Sequence, residues 1–279
     1  MIRCKALLGT FVEVSTPDRA QSFNAIENAF LAIAEIQDLM GFHRPNSELS
    51  KINACCHLEP VQIHPWTATV LAIAKEIHLH SGGLFNCGIG HHLVARGLLQ
   101  KHQGSQPIGR VDQFGGIEHL QFLNPTLVRS DLPLCLDLGG VAKGFAVDLA
   151  VNILQSAGAQ SGSVNAGGDL RVFGSEAQMI HIRNPSNPYE LIHLGNVYEA
   201  AIATSSLYFS KRDNNPISYI VNPLNQKHIE FPESYSVIAD QCIYADALTK
   251  IVSISGNTNH PCLRYFSAQA IKIPSTLST

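Results

Sequence analysis

Apolar and polar residues recur along this chain with two periods, and the predicted elements follow from them. A helical period appears over 23–40, where Ile26, Phe30, Ile33 or Ala34, and Ile36 share an inward face and Gly41 supplies a stop. Pro65 to His80 repeats it and ends at Gly82-Gly83. Later helices are predicted over 141–155, with Val141, Phe145, Leu149 and Ile153 inward, and over 244–254. Shorter apolar runs read as strands: 6–14 (interrupted at Gly9), 117–123, 126–129, 133–138, 162–165, 169–173, 178–182, 199–203, 217–222, 235–239 and 262–266. Phe42 to Asn53 is polar and reads as a loop entering a short helix, with Ser47 and Ser50 as capping residues. Leu84 to Gly90 is an extended approach to His91-His92, and the Gly/Gln-rich residues 101–116 read as a mobile loop.

Strands outnumber helices and do not alternate with them regularly, which predicts an α+β fold rather than a doubly wound α/β one. No internal repeat, low-complexity tract or clean linker divides the chain, so 1–279 reads as a single domain.

Composition narrows the function classes. The chain has 279 residues, is 45% hydrophobic and only 15% charged, and carries a net charge of −3, enough apolar material for a large core. No basic stripe points to nucleic acid, and no apolar run approaches the roughly 18 residues of a membrane helix. The first ten residues lack the apolar core of a signal peptide, and Cys4 lacks the leader of a lipid attachment site, so the expected compartment is the cytoplasm. Seven scattered cysteines do not form a disulfide framework. Cys55-Cys56-His57, His78 with His80, and His91-His92 lack the paired spacing of a zinc site. There is no G-x-S-x-G elbow for a serine hydrolase.

Five segments carry candidate chemistry. In Leu134-Cys-Leu-Asp-Leu-Gly-Gly-Val-Ala-Lys143, a strand bearing Asp137 runs through two glycines into a helix with Lys143 in its first turn. Backbone N–H groups, the helix dipole and an ammonium then converge as an anion site suited to phosphate, although such turns also serve packing. Ser163-Val-Asn-Ala-Gly-Gly-Asp169 offers small residues on which a flat ring or phosphate can lie, or else a hairpin turn or bulge. Thr204-Ser205 is either a ligand-binding hydroxyl pair or an ST-turn closing a strand. Ser218-Tyr-Ile-Val-Asn-Pro223 ends a strand. In Tyr244-Ala-Asp-Ala-Leu-Thr-Lys250, Asp246 begins a helix with Thr249 and Lys250 one turn on. Its carboxylate suits a hard cation such as Mg²⁺, or simply favours the helix N-terminus.

Together with Leu8-Gly-Thr10, the stretch from Ser47 to Asn53 and Leu84-Phe-Asn86, these segments in this order resemble the FAD:protein FMN transferase family (ApbE-like proteins), over roughly residues 7 to 255. The resemblance implies a T-fold-related architecture of mixed and antiparallel sheets with packed helices, either one domain or two subdomains with the FAD site between them. It implies Mg²⁺-dependent cleavage of FAD at its diphosphate, with FMN passed to a threonine in a flavinylation motif of an acceptor flavoprotein and AMP released. By the same likeness, Leu8, Leu84, Phe85, Asn86, Asp137, Lys143, Asn165, Gly167, Gly168, Thr204 and Ile220 would bind FAD. The Gly140 carbonyl, Asp246 and Thr249 would bind the metal, and Asp246 and Lys143 would act in catalysis. The chain departs from the family pattern at Leu8 (usually Met), Asn86 (usually Asp), Tyr219-Ile-Val-Asn-Pro (commonly His-Ile-Ile-Asp-Pro) and Lys250 (often Thr). An ammonium at 250 would repel a metal, so either Thr249 takes that role or metal affinity is weak. Two alternatives stand beside the transferase: a flavin-binding regulatory relative without turnover, and an FAD pyrophosphatase that gives FMN and AMP.

Overall fold

The computed structural model describes residues 1–17, 22–100, 114–207, 211–212, 215–216 and 218–275. In chain order the first elements are β1 (Ile2–Leu7), β2 (Thr10–Ser15), α1 (Ser22–Met40), α2 (Glu48–Cys55), β3 (Val61–Gln62), α3 (Pro65–His80), α4 (Gly90–Ala95), β4 (Leu120–Asn124), β5 (Leu127–Ser130) and α5 (Ala142–Ser156). There follow β6 (Gly162–Ala166), β7 (Asp169–Phe173), β8 (Gln178–Arg183), β9 (Leu191–Val197), β10 (Ala200–Ser206), β11 (Lys211–Arg212), β12 (Asn215–Pro216), β13 (Val221–Asn222) and β14 (Lys227–His228). The last are β15 (Ser234–Ala239), α6 (Cys242–Ser255), α7 (Pro261–Tyr265) and β16 (Gln269–Ile273). The α+β class expected from the pattern is the one observed.

Two compact units form. The first comprises Met1–Ala34, Lys143–Ile220 and His228–Thr279; the second comprises Glu35–Ala142 and Val221–Lys227. The first unit is built on a seven-stranded sheet in the order β1-β2-β6-β7-β10-β15-β16, antiparallel at every junction. Helix α6 packs across β10 and β15. Behind β7 and β10, Val172, Ile180 and Ile202 form a small buried cluster with Leu194 and Val197 from the β8–β9 hairpin.

The predicted strand 6–14 is a hairpin, because Leu8 (φ 55°) and Gly9 (φ 71°) turn the chain between the paired Leu7 and Thr10. Two consecutive positive φ values give the tight turn whose twist matches the flanking strands. Gly167 (φ 65°) and Gly168 (φ 105°) do the same between Ala166 and Asp169, so the Ala-Gly-Gly-Asp segment is a hairpin turn rather than a bulge. Because β2 pairs with β6, the two turns share one end of the sheet, and a side chain at Gly167 would meet Thr10.

Helix α5 buries a different stripe from the predicted one. Ala142, Ala146, Val147, Ala150, Val151 and Leu154 are buried, whereas Phe145, Leu149 and Ile153 are half-buried. Val141 of the predicted face is buried, just ahead of the helix, and Gly144 lies close against Cys242 and Ile243 on the buried side. The predicted strand 262–266 is α7: Pro261 opens it at a position that needs no N–H, and His260 Nδ1 accepts from Cys262 N at 3.2 Å.

The second unit holds α2, α3, α4 and the antiparallel sheet β3-β5-β4. Ser47 caps α2 as expected, its Oγ accepting from Ser50 N at 3.0 Å. The start of the run predicted over 117–123 is a 3-10 turn, Ile117–His119, before β4. The loop expected over 101–116 lies outside the described residues as far as 113, and so does residue 217 of the strand expected over 217–222.

Candidate functional site

The approach to α5 is extended but joins no sheet, contrary to the strand expected over 133–138. Its backbone is satisfied piecemeal within the second unit. Gly90 N donates to Cys135 O at 2.9 Å, and Asp137 N donates to Cys87 O at 2.8 Å. The Asn53 amide closes on both polar groups of Leu136, at 2.7 and 2.9 Å. The chain then turns at Gly139-Gly140, where Gly139 N donates to Asp137 Oδ1 at 3.1 Å. The bond to Cys87 O brings Asp137 next to the end of the Leu84–Asn86 segment. Phe85 is only 5% exposed and belongs to the core, while Leu84, Asn86, Asp137 and Gly140 are half-buried. Asn86 Oδ1 accepts from Gly88 N and Ile117 N at 2.9 Å each, and its Nδ2 donates to Glu118. An aspartate at 86 could accept the same two bonds but could not donate the third.

In the first unit, α5 opens beside two buried acids. The Lys143 ammonium pairs with Asp169, whose side chain is 5% exposed, and the Lys250 ammonium pairs with Asp246 Oδ1, whose side chain is fully buried. Both ammonium groups are directed at buried carboxylates, and the lysine side chains are 31% and 22% exposed. Asp246 also takes Gly144 N at 3.2 Å on Oδ2, so the first turn of α5 already holds a carboxylate. Burial disfavours charge on Lys143, but Asp169 and Asp246 outweigh it and hold its pKa above the ordinary value. Burial also works against ionised Asp246; Lys143, Lys250 and the Gly144 N–H reverse this and lower its pKa. For Asp169, burial and the neighbouring Asp246 prevail over Lys143 and raise it.

Helices α5 and α6 are locked together at this point. The Asp148 carboxylate accepts from Cys242 N and Ile243 N at 2.9 Å each, satisfying the orphan donors that open α6, and pairs with Arg171 at 2.8 Å. On α6, Thr249 Oγ1 donates to Asp246 O at 2.7 Å and accepts from Ser205 Oγ at 2.8 Å. Lys250, not Thr249, faces the Asp246 carboxylate. Thr204 sits within β10 rather than in a turn, and its hydroxyl bonds to Ser236 at 2.8 Å. Neighbours in a strand point to opposite faces, so Thr204 and Ser205 look in opposite directions.

At the paired turns, Leu8 is half-buried, and Asn165 Oδ1 accepts from Gly168 N at 2.9 Å, stiffening the second turn. Ile220 is half-buried, its N–H on Ser218 Oγ at 3.1 Å and its carbonyl on Ile229 N at 2.9 Å. Thus Leu8, Lys143, Asn165, Gly167, Gly168, Thr204, Ile220, Asp246 and Thr249 lie in the first unit, and Leu84, Phe85, Asn86, Asp137 and Gly140 in the second. Asp169, Asp148 and Gly144 were not singled out as site residues. Among the described residues, no three His, Cys, Asp or Glu side chains converge as a metal cluster, and no helix is long and apolar enough to cross a membrane.

A family model, that of the ApbE family, matches residues 8–267. An FAD:protein FMN transferase of Chlamydia muridarum is 30% identical over 261 residues, covering 88% of this chain and 78% of that protein. One from Vibrio cholerae is 29% identical over 247 residues, covering 80% and 71%. Among solved structures, the flavin transferase ApbE from Vibrio cholerae has a TM-score of 0.82 at 25% identity, covering 98% of this chain and 92% of that one. The ApbE protein from Thermotoga maritima shares the fold, with a TM-score of 0.81 at 22% identity and 99% and 97% coverage. With a buried acid–lysine constellation at the start of α5 and a family match over nearly its whole length, this chain belongs to the ApbE family.

Proposed function

We propose that the protein is an FAD:protein FMN transferase. A threonine hydroxyl of an acceptor flavoprotein attacks the FMN-side phosphorus of FAD. The P–O bond to the bridging oxygen breaks, AMP leaves with that oxygen, and the hydroxyl proton goes to solvent or a nearby base. FMN is left esterified to the acceptor.

The observation that carries this reading is Lys143, whose ammonium is fixed by Asp169 in the first turn of α5 while its side chain stays 31% exposed. Charge builds on the phosphoryl oxygens and on the departing AMP, so a fixed cation at a helix N-terminus stabilises the transition state without reorganising. Gly167, Gly168 and Leu8, in the paired turns of the same unit, offer a low, stiff surface suited to a flat ring.

Mg²⁺ at Gly140, Asp246 and Thr249 would supply further charge neutralisation on the diphosphate, but the donors do not suit it. Lys250 places an ammonium on one Asp246 oxygen, Gly144 N donates to the other, and the Thr249 hydroxyl hydrogen is directed to Asp246 O. No step is therefore assigned to a metal ion.

The test is incubation with FAD and a flavoprotein domain bearing an exposed threonine motif, with AMP read by chromatography and flavin fluorescence read on the denatured acceptor. AMP with a fluorescent acceptor is expected. AMP with free FMN and no labelled acceptor would select the pyrophosphatase alternative, and intact FAD that fails to bind would overturn the proposal.

A further inference from the structure

The misfit between Asp246 and a metal ion has a specific cause. Lys250 lies four residues beyond Asp246 on α6, the spacing at which helical side chains meet. Its ammonium bonds Asp246 Oδ1 and also Asp246 O at 3.0 Å. The carboxylate is fully buried, so water cannot compensate it, and its partners are those that the first unit provides. A hard divalent ion on the same oxygen would stand about 2.1 Å away, leaving the two cations roughly 4 Å apart. Lys143, on the neighbouring buried acid, adds a second repulsive charge.

We propose that Lys250 is the resident cation of this site: its ammonium takes the place on Asp246 that a divalent ion needs, and FAD binding therefore requires no divalent metal. This rests on the transferase reading for the identity of the ligand, though not for the state of Asp246. The two acids and two lysines balance in charge, and in each pair the lysine is the more exposed side chain. An arriving diphosphate would thus meet ammonium groups that are already ordered by their acids.

Two titrations test this on the full chain. In the first, Mn²⁺ is added to the protein without FAD and followed by electron paramagnetic resonance. The wild type is expected to bind more weakly than about 1 mM, and Lys250→Thr at least tenfold more tightly. In the second, FAD binding is followed by flavin fluorescence in EDTA and then in excess Mg²⁺. The wild-type affinity should change less than tenfold. Lys250→Thr should lose at least tenfold in EDTA and regain it with Mg²⁺, while Lys250→Arg, which keeps the charge, should behave as wild type. A purely structural role for Lys250 would not produce that conditional rescue. Tight Mn²⁺ binding by the wild type, or a tenfold or greater gain in its FAD affinity on adding Mg²⁺, would overturn the proposal, and neither needs a variant to fold. If FAD binds under no condition, the transferase reading falls while the Mn²⁺ titration still decides the state of Asp246.

Discussion

Gly144→Ala is the sharpest test of how the site is assembled. A Cβ at Gly144 would stand 2.6 Å from Cys242 C and 2.7 Å from Ile243 Cα, and closer still to Cys242 O. Carbon atoms in contact prefer about 3.5–4.0 Å, so α5 and α6 would have to separate by on the order of 1 Å. They are not free to do so. Asp148, one turn further along α5, holds Cys242 N and Ile243 N, and Gly144 N itself holds Asp246. Overpacking alone costs about 1–3 kcal/mol. Loss of one charge-assisted bond adds about 1.5–3 kcal/mol, for a total of about 2.5–6 kcal/mol. For a chain of this size that is a fall in Tm on the order of 10 °C. Urea and thermal denaturation followed by circular dichroism read the change. Gly139→Ala is the control: its nearest atom is the Asp137 carboxylate oxygen at 3.3 Å, and a loss below about 1 kcal/mol is expected. If Gly144→Ala lies within about 1 kcal/mol of wild type, the α5–α6 contact is looser than described, and these bonds do not position Lys143.

Lys143→Ala should weaken FAD binding more than tenfold, about 1.4 kcal/mol or more, in a fluorescence titration. It should also destabilise the fold, because Asp169 is left buried without its partner; adding Asp169→Asn should restore stability but not FAD affinity. Recovery of both would assign Lys143 a structural role only. Acid should destabilise the second unit through His91, whose pKa burial and then His92 lower from 6.5 to about 4, against a backbone bond to Gly88. Between these values the unfolded chain takes up a proton that the folded one refuses, so stability falls as pH drops through the window, by about 3 kcal/mol in all. His91→Phe, which keeps the stack on Phe114, should flatten that slope in urea titrations at pH 7 and 4, and an unchanged slope would refute the assignment.

The sequence shows elements whose signals are local. Helix α3 is legible from Pro65 to His80 because its stop lies in the adjoining Ser-Gly-Gly, and β7 because Leu170, Val172 and Phe173 fall in a short run between Gly168 and Gly174. Hairpins are harder. Leu8-Gly9 lacks the Asn-Gly or Asp-Gly signature of a two-residue turn, so two strands merge into one apparent strand. The inward face of α5 is hard to read because both Phe145-Leu149-Ile153 and Val147-Val151-Leu154 are apolar at helical spacing, and the close approach of Gly144 to Cys242 and Ile243 shows only in three dimensions. Asp148 is opaque for another reason. It caps a helix that begins 94 residues later, and nothing near Asp148 or Cys242 announces the pairing. At the site, the strand–Gly-Gly–helix run and Asp246 were visible one by one. That Asp169 and Asp246 would be buried together, each met by a lysine, depends on β7 and α6 meeting the start of α5 in three dimensions.

Three buried carboxylates in one unit call for different explanations. Asp148 is structural: it satisfies two orphan N–H groups and an arginine, so its loss would leave a helix end uncapped. The Asp169–Lys143 and Asp246–Lys250 pairs close no comparable gap except at Gly144 N. As buried ion pairs they are poor sources of stability, since desolvating the charges offsets most of their attraction and apolar residues of similar volume serve as well or better. What the pairs do provide is placement. Each acid fixes the end of a long, flexible side chain that would otherwise sample many rotamers: Lys143 in the first turn of α5, and Lys250 on α6 beside the acid that accepts from Gly144 N. On the proposed reading, a ligand carrying two adjacent phosphates would meet two ammonium groups whose ordering was completed during folding, so little binding energy would be spent on arranging them. That division, with one acid holding helices and two holding lysines, is the reason to place the chemistry at the start of α5 rather than at the histidine pairs or the vicinal cysteines.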